Sequence, residues 1–322
     1  MRQSLQLPPM SSSTQRPNIF AGPYLDRSTH LRERADWLQE AGRDPQAQFV
    51  AVWQARNLFR RGEALGALLL ESSHAAVQAA NPEEMVFLGM FRGRASFLVE
   101  FQGESPPEVD AQAEFRELRW LGAMLPSDEA GLLAYARALT LWRQRHRFCG
   151  VCGAPTRSVR GGHVLMCSNE SCKTEQFPRI DPAIIVLVSD GTRALLGRQS
   201  SWPAGRYSTV AGFVEPGESL EDAVVREVHE ETGIRVHEVR YHSSQPWPFP
   251  SSLMLGFTAQ ALDSEITLKD GELEDARWFT RADIASGAIA MPSSQSISFR
   301  LIEDWYDSGA TQPLRETPGV RL

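Results

Sequence analysis

Three glutamates, Glu227, Glu230 and Glu231, stand at i, i+3 and i+4 in a segment whose apolar residues Leu220, Ala223, Val224 and Val228 recur at helical spacing. The apolar set predicts a buried stripe, and the carboxylates converge on another face of the same helix. Like charges at that spacing each destabilise a helix by roughly 0.2–0.5 kcal/mol, so a cation is expected to offset them. Magnesium or manganese suits such a site, because hard divalent ions prefer oxygen ligands. Ser219 with Asp222 forms a capping pair at the helix start, and Gly233 supplies a C-cap. A second set is Cys149-x2-Cys152 and Cys167-x4-Cys172, which are the only four cysteines of the chain. Paired knuckles across a hairpin-sized gap predict tetrahedral thiolate coordination of zinc, and four thiolates close the shell, so this ion is structural. Arg160-Gly161-Gly162-His163 falls in mid-gap and predicts the hairpin turn, with His163 a turn residue and not a fifth ligand. Disulfides are the competing use of these cysteines, and a chain with no export signal argues against them.

The elements that must hold these groups read as α/β (α+β). With 322 residues and 42% hydrophobic composition, the chain is long enough for two globular units and a small insert. Upstream of the cysteines, strands are expected near 49–53, 67–70, 85–90 and 95–101, and helices over 114–124 and 128–145, with Ser127 as a cap. Downstream, strands are expected near 183–188, 193–198, 207–210, 253–261 and 276–280, with a final helix near 294–308. No internal repeat is visible. The expected divisions are a disordered 1–16, an N-terminal α/β unit over 17–143, the cysteine ribbon over 144–177, a second α/β unit over 178–310 and a tail over 311–322. A formal net charge of -7 argues against a protein that coats nucleic acid, so an anionic substrate must be met by metal and local arginine. No apolar run reaches the length of a membrane span and the N-terminus lacks a signal core, which points to the cytoplasm.

The stretch from Gly212 to Ile234 resembles the Nudix box, G-x5-E-x7-R-E-U-x-E-E-x-G-U, at Gly212, Glu218, Arg226, Glu227, Val228, Glu230, Glu231, Gly233 and Ile234. Ser244-Gln245-Pro246-Trp247-Pro248-Phe249-Pro250-Ser251-Ser252 resembles the signature of the NAD(H) pyrophosphatase branch. Phe177-Pro178-Arg179-Ile180-Asp181-Pro182 is similar to that branch's approach to the Nudix domain, with Phe where Tyr is usual. The resemblance implies a Nudix α/β/α sandwich preceded by a zinc ribbon and a Nudix-like N-terminal domain. It implies hydrolysis of the pyrophosphate of NAD(H) to nicotinamide mononucleotide and AMP, NAD being substrate and not redox cofactor. Removal of NAD caps from RNA is a further activity it implies.

Carried over by residue, Glu227, Glu230, Glu231, the Ala211 carbonyl and Glu272 would hold Mg2+ or Mn2+, with Glu274 the rival of Glu272. Glu230 is the general base by this reading, Arg226 orients the box glutamates and Glu218 stabilises the loop. Phe177 and Phe213 would stack on the substrate ring, and Gln245, Pro246, Trp247, Pro248, Phe249, Pro250, Ser251, Ser252 and Ser298 would contact substrate. Arg143, Arg145, His146, Arg147, Arg157 and Arg160 surround the ribbon, either holding RNA or forming a solvated rim. A homodimer is implied. The alternatives are a Nudix hydrolase of ADP-ribose or a diadenosine compound, and a non-catalytic RNA- or protein-binding ribbon module. No G-x-G-x-x-G after a strand and no P-loop is present.

Overall fold

The computed structural model describes residues 16–62, 65–269 and 271–320. The expected disorder of residues 1–16 therefore falls almost wholly outside the described residues.

In the N-terminal domain, β1 (Gln48–Trp53), β2 (Arg56–Arg60), β3 (Gly66–Ala67), β4 (Leu69–Glu71), β5 (Val86–Phe91), β6 (Arg94–Phe101) and β7 (Ala113–Arg116) form one sheet, with α1 (Ala35–Arg43), α2 (Ala75–Ala79), α3 (Leu118–Leu121) and α4 (Ser127–Arg145) around it. Every residue of β1 is buried because its side chains alternate between two cores. Val50 and Val52 pack towards α4, while Phe49 and Ala51 pack towards α1 and α2. The helix expected over 114–124 is partly wrong. Residues Ala113–Arg116 instead complete a ladder on β2, and a short α3 follows. Long-range pairing has overridden local helical periodicity there. Ser127 is the first helical residue and not the cap, which is Pro126. The strand expected at 67–70 is split between β3 and β4.

The ribbon is a three-stranded antiparallel sheet of β8 (Thr156–Val159), β9 (Val164–Cys167) and β10 (Glu175–Gln176). Arg160–Gly162 makes the turn between β8 and β9, as the sequence predicts. Gly162 has φ +89, and a Cβ there would lie 2.7 Å from Val86, so the turn sits directly on β5.

The third unit comprises β11 (Asp181–Ser189), β12 (Arg193–Arg198), β13 (Val210–Phe213), α5 (Leu220–Thr232), β14 (Val236–Trp247), β15 (Ser252–Ala261), β16 (Asp275–Thr280), α6 (Arg281–Ala285) and α7 (Ile297–Asp307). Its sheet runs β14-β15-β11-β12-β16, with β13 added to β11. Helix α5 covers one face against Ile184, Val186 and Phe257, and α7 covers the other against Ile185 and Leu187. Leu314, from the expected tail, is fully buried in this second core.

The two sheets share a topology that the sequence does not disclose. Each has a central parallel pair, β1 with β6 and β11 with β15. Each adds an antiparallel strand to the first member before a helix, β4 then α2 and β13 then α5. Each closes with an antiparallel edge, β5 on β6 and β14 on β15. The helix positions differ in content: α2 has five residues, Ala-Ala-Val-Gln-Ala, and no carboxylate, whereas α5 has thirteen and carries the glutamates. The candidate glutamates for a cation thus stand on the helix of the second sheet. Among the described residues no helix is long and apolar enough to cross a membrane.

Candidate active site and zinc centre

Helix α5 begins at Ser219, whose hydroxyl accepts the Asp222 N–H in a full capping box, and ends at Gly233 in the left-handed conformation. Ala223, Val224 and Val228 are buried as expected, and Glu227 and Glu231 are buried with them. The tight contact is with β13. A Cβ at Gly212 would meet the Glu227 carboxylate at 1.9–2.4 Å, so glycine is required for this carboxylate to lie against the Ala211–Gly212 backbone.

Arg226 organises the acidic groups. Its Nε donates to Glu218 at 2.5 Å, its Nη2 to Glu218 and the Phe213 carbonyl at 2.9 Å each, and its Nη1 to Glu227 at 2.8 Å and Glu230 at 3.0 Å. The Arg226 hydrogen bonds, aided by the Glu215 N–H, hold the Glu218 carboxyl down at about 2. The Glu227 carboxyl is shifted upwards, first by burial and then by the nearby charges of Glu230 and Glu272. Glu274 turns away to pair with Arg198, so Glu272 is the acid outside the helix near enough to act on Glu227.

The glutamates do not close on one another as tightly as their spacing suggests. Among the described residues, only the cysteines bring three or more ligand atoms within 4.8 Å of one another. Arg226 holds Glu227 and Glu230 instead. The donor set still fits a hard divalent ion: every donor is an oxygen, Glu227 is pressed against the main chain beside Ala211, and burial disfavours its charge despite the bond from Arg226, a penalty that a divalent ion would offset.

At the ribbon, Sγ of Cys149 lies 3.8 Å from that of Cys172, and Cys152 3.4 Å from Cys167. A disulfide needs about 2.05 Å. Four thiolates at about 2.3 Å from a tetrahedral zinc would stand about 3.8 Å apart, which matches the observed spacing. Backbone N–H groups of Val151 and Asn169 point at Cys149 and Cys167, the outer hydrogen bonding that such thiolates require. His163 is not a ligand. Its Nε2 donates to the Phe87 carbonyl at 2.8 Å, tying the ribbon to β5.

Burial pushes the His163 imidazole down to about 4 from 6.5. Protons therefore bind the unfolded chain more readily than the folded one between those values, so the contribution is complete above pH 6.5 and lost as pH falls towards 4. The expected loss is about 3 kcal/mol across that window. His163→Gln keeps a donor without the titration, and its melting temperature should fall less than the parent's between pH 7 and 4.5; parallel curves would refute this.

Other expected site residues are dispersed. Phe177 and Phe213 are both exposed and lie at the same end of β11, Phe213 being paired with Ala183. Gln245 is fully buried, donating to the carbonyls of Gln295 at 2.7 Å and Ile19 at 3.2 Å and accepting the Ile297 N–H at 2.8 Å. These bonds leave its amide to the protein, against the expectation of a direct substrate contact. Trp247 and Phe249 pack on each other and on Phe20 of the N-terminal arm, again inward. Ser251 bonds Asp181 at 2.6 Å. Ser298 is buried, its hydroxyl bonded to Ser208 and Thr209 just before β13. Of the basic set, Arg143 is no solvated rim: it is buried, bonded to Glu84 and Ser158, and joins α4, the N-terminal domain and the ribbon. Arg160 pairs with Glu175, while Arg145, Arg147 and Arg157 are exposed. Asn18, Phe20 and Arg137 reach the third unit from the N-terminal side; their partners are more than a hundred residues distant, beyond any local pattern.

Comparison with known proteins adds three family matches. Residues 46–142 match the NADH pyrophosphatase-like rudimentary NUDIX domain, 144–177 the NADH pyrophosphatase zinc ribbon domain and 179–298 the NUDIX domain. The chain is 35% identical to an NAD-capped RNA hydrolase of Macaca fascicularis, over 89% of its own length and 73% of the relative's. It is 42% identical to an NAD-capped RNA hydrolase of Mycobacterium bovis, over 72% of itself and 79% of the relative. Among solved structures, a NUDIX hydrolase from Nitrosomonas europaea covers 55% of the chain and 97% of its own, at 22% identity and TM-score 0.43.

Proposed function

The chain belongs to the Nudix hydrolases of the NAD-capped RNA hydrolase family, and from that membership we propose that it hydrolyses the pyrophosphate of NAD(H), free or as the cap of an RNA, to nicotinamide mononucleotide and AMP or AMP-ended RNA. The observation that carries the reading is the Glu227 carboxylate pressed onto β13 at Gly212, among acidic neighbours that a divalent cation would stabilise.

Glu227, Glu230, Glu231, Glu272 and the Ala211 carbonyl are the residues that would hold Mg2+ or Mn2+. A divalent ion there lowers the pKa of water and offsets charge building on the bridging oxygen. The chain's own groups do the rest. Glu230, exposed with its side chain 52% accessible where Glu227 and Glu231 are buried, takes the proton from the attacking water as a phosphorus–oxygen bond forms and the bond to the bridging oxygen breaks. Arg226 keeps Glu227 and Glu230 oriented and leaves no direct role in binding phosphate. Phe177 and Phe213 supply faces for stacking on a ring. A homodimer in the cytoplasm is part of this reading. Incubation with NADH and Mn2+, followed by chromatography, tests the activity: mononucleotide and AMP support it, and an intact NADH pool beside hydrolysed ADP-ribose would overturn it.

Phe213→Ala is expected to raise KM for NADH and to reduce discrimination against ADP-ribose, since stacking contributes roughly 1–3 kcal/mol per base. The side chain is 61% exposed, so little stability should be lost. An unaltered preference ratio would remove Phe213 from the stacking role.

A further inference from the structure

Prolines at 246, 248 and 250 strip the end of β14 and the β14–β15 loop of three backbone donors. The Phe249 N–H is spent within the loop, on the Trp247 carbonyl at 2.7 Å. The Pro248 carbonyl is served from another domain: Nε of Arg137, on α4, donates to it at 2.9 Å. The same guanidinium lies 5.1 Å from the Phe249 ring centroid. Its Nη1 is buried with no hydrogen-bond partner, an arrangement that is unfavourable for stability taken alone. The guanidinium is thus tied to the loop tip by one hydrogen bond and one ring contact.

What it holds is coupled to the candidate site at both ends of the loop. On one side, Ser251 bonds Asp181, the first residue of β11, four residues from Phe177. On the other, Gln245 receives the Ile297 N–H at the head of α7, and the next residue, Ser298, bonds Thr209 two residues before Ala211. The loop tip lies between these two routes.

We propose that Arg137 is a positioning residue for the dinucleotide site: from the N-terminal domain, it fixes the tip of the loop and through it the binding of NAD(H). The inference rests on the function proposed above and on the loop's links to the approach to β11 and to the residues before Ala211. It gives the N-terminal domain, whose own helix α2 lacks carboxylates, a part in the reaction. Arg137 itself touches no substrate.

The test is steady-state NADH hydrolysis by the full chain with Mn2+, with melting temperatures, for the parent, Arg137→Met and Arg137→Lys. Arg137→Met is expected to raise KM at least about tenfold with kcat within about threefold, the pattern of lost ground-state positioning. Arg137→Lys should return KM to within about threefold of the parent, because an ammonium also donates to a carbonyl. A merely structural residue would instead lower the melting temperature and leave KM unchanged. Parental KM in Arg137→Met overturns the proposal, as do joint losses that Arg137→Lys does not recover. If Arg137→Met does not fold, Arg137→Gln, which keeps an amide without charge, is read by the same criteria. A parent that does not hydrolyse NADH overturns the functional reading and this proposal together, whereas an active parent with indifferent variants overturns this proposal alone.

Discussion

Glu231→Gln is expected to lower NADH turnover at least about a hundredfold, near 2.7 kcal/mol of transition-state stabilisation, while the fold persists. Glu231 is 4% exposed, one helical turn beyond Glu227 and on the same face of α5. Glutamine keeps its volume and removes its charge, so the packing of this buried side chain is retained and one anionic oxygen donor is lost. The affinity for the activating ion should fall as well, so the Mn2+ concentration giving half-maximal rate should rise. Circular dichroism establishes folding, and hydrolysis across a Mn2+ titration measures the rest. A folded variant with near-parental rate at saturating ion would take Glu231 out of the site.

Removing the zinc should have the largest effect on stability. Structural zinc contributes about 10–16 kcal/mol of apparent binding free energy in small peptides, and here half of its shell is internal, Cys149 and Cys167 being 3% and 2% exposed. The ribbon is also a junction, joined to β5 through His163 and Gly162 and to α4 through Arg143 and Ser158. Chelation, or Cys149→Ser, is therefore expected to lower the melting temperature of the N-terminal half together with the ribbon. The two metals should be separable: zinc alone should restore the fold, and Mg2+ or Mn2+ alone should restore turnover to folded protein. Zinc-free protein with an unchanged melting curve would refute the assignment. So would recovery of activity by zinc in place of the activating ion.

The sites legible in the sequence are those whose geometry is set within a few residues. Cysteine knuckles, the Ser219–Asp222 cap, the Gly161–Gly162 turn and the i, i+3, i+4 glutamates all follow from local backbone geometry, which spacing reports directly. Strand β14 went unseen because more than half of its residues are polar and it carries Pro246 next to its end, which an edge position tolerates. Residues Ala113–Arg116 pass for helix until β2 is in place beside them. The proline-rich segment was legible as rigid. That its aromatic rings face inward, onto Phe20, was not.

The sequence by itself determined the zinc ribbon with its four cysteines, the order of the units along the chain and the helix glutamates that are the candidates for a divalent ion. Tertiary structure decided what those residues face: that Gly212 must lack a side chain to admit Glu227, that Arg143 is buried between domains and not a solvated rim, that Gln245 serves α7 and not solvent, and that the N-terminal sheet repeats the topology of the catalytic one. The physical reason is the range of the interactions. Periodicity and capping act over three or four residues and leave a mark at that spacing, whereas a buried hydrogen bond such as that of Arg137 to Pro248 joins positions 111 residues apart, and only the packed chain brings its two ends together.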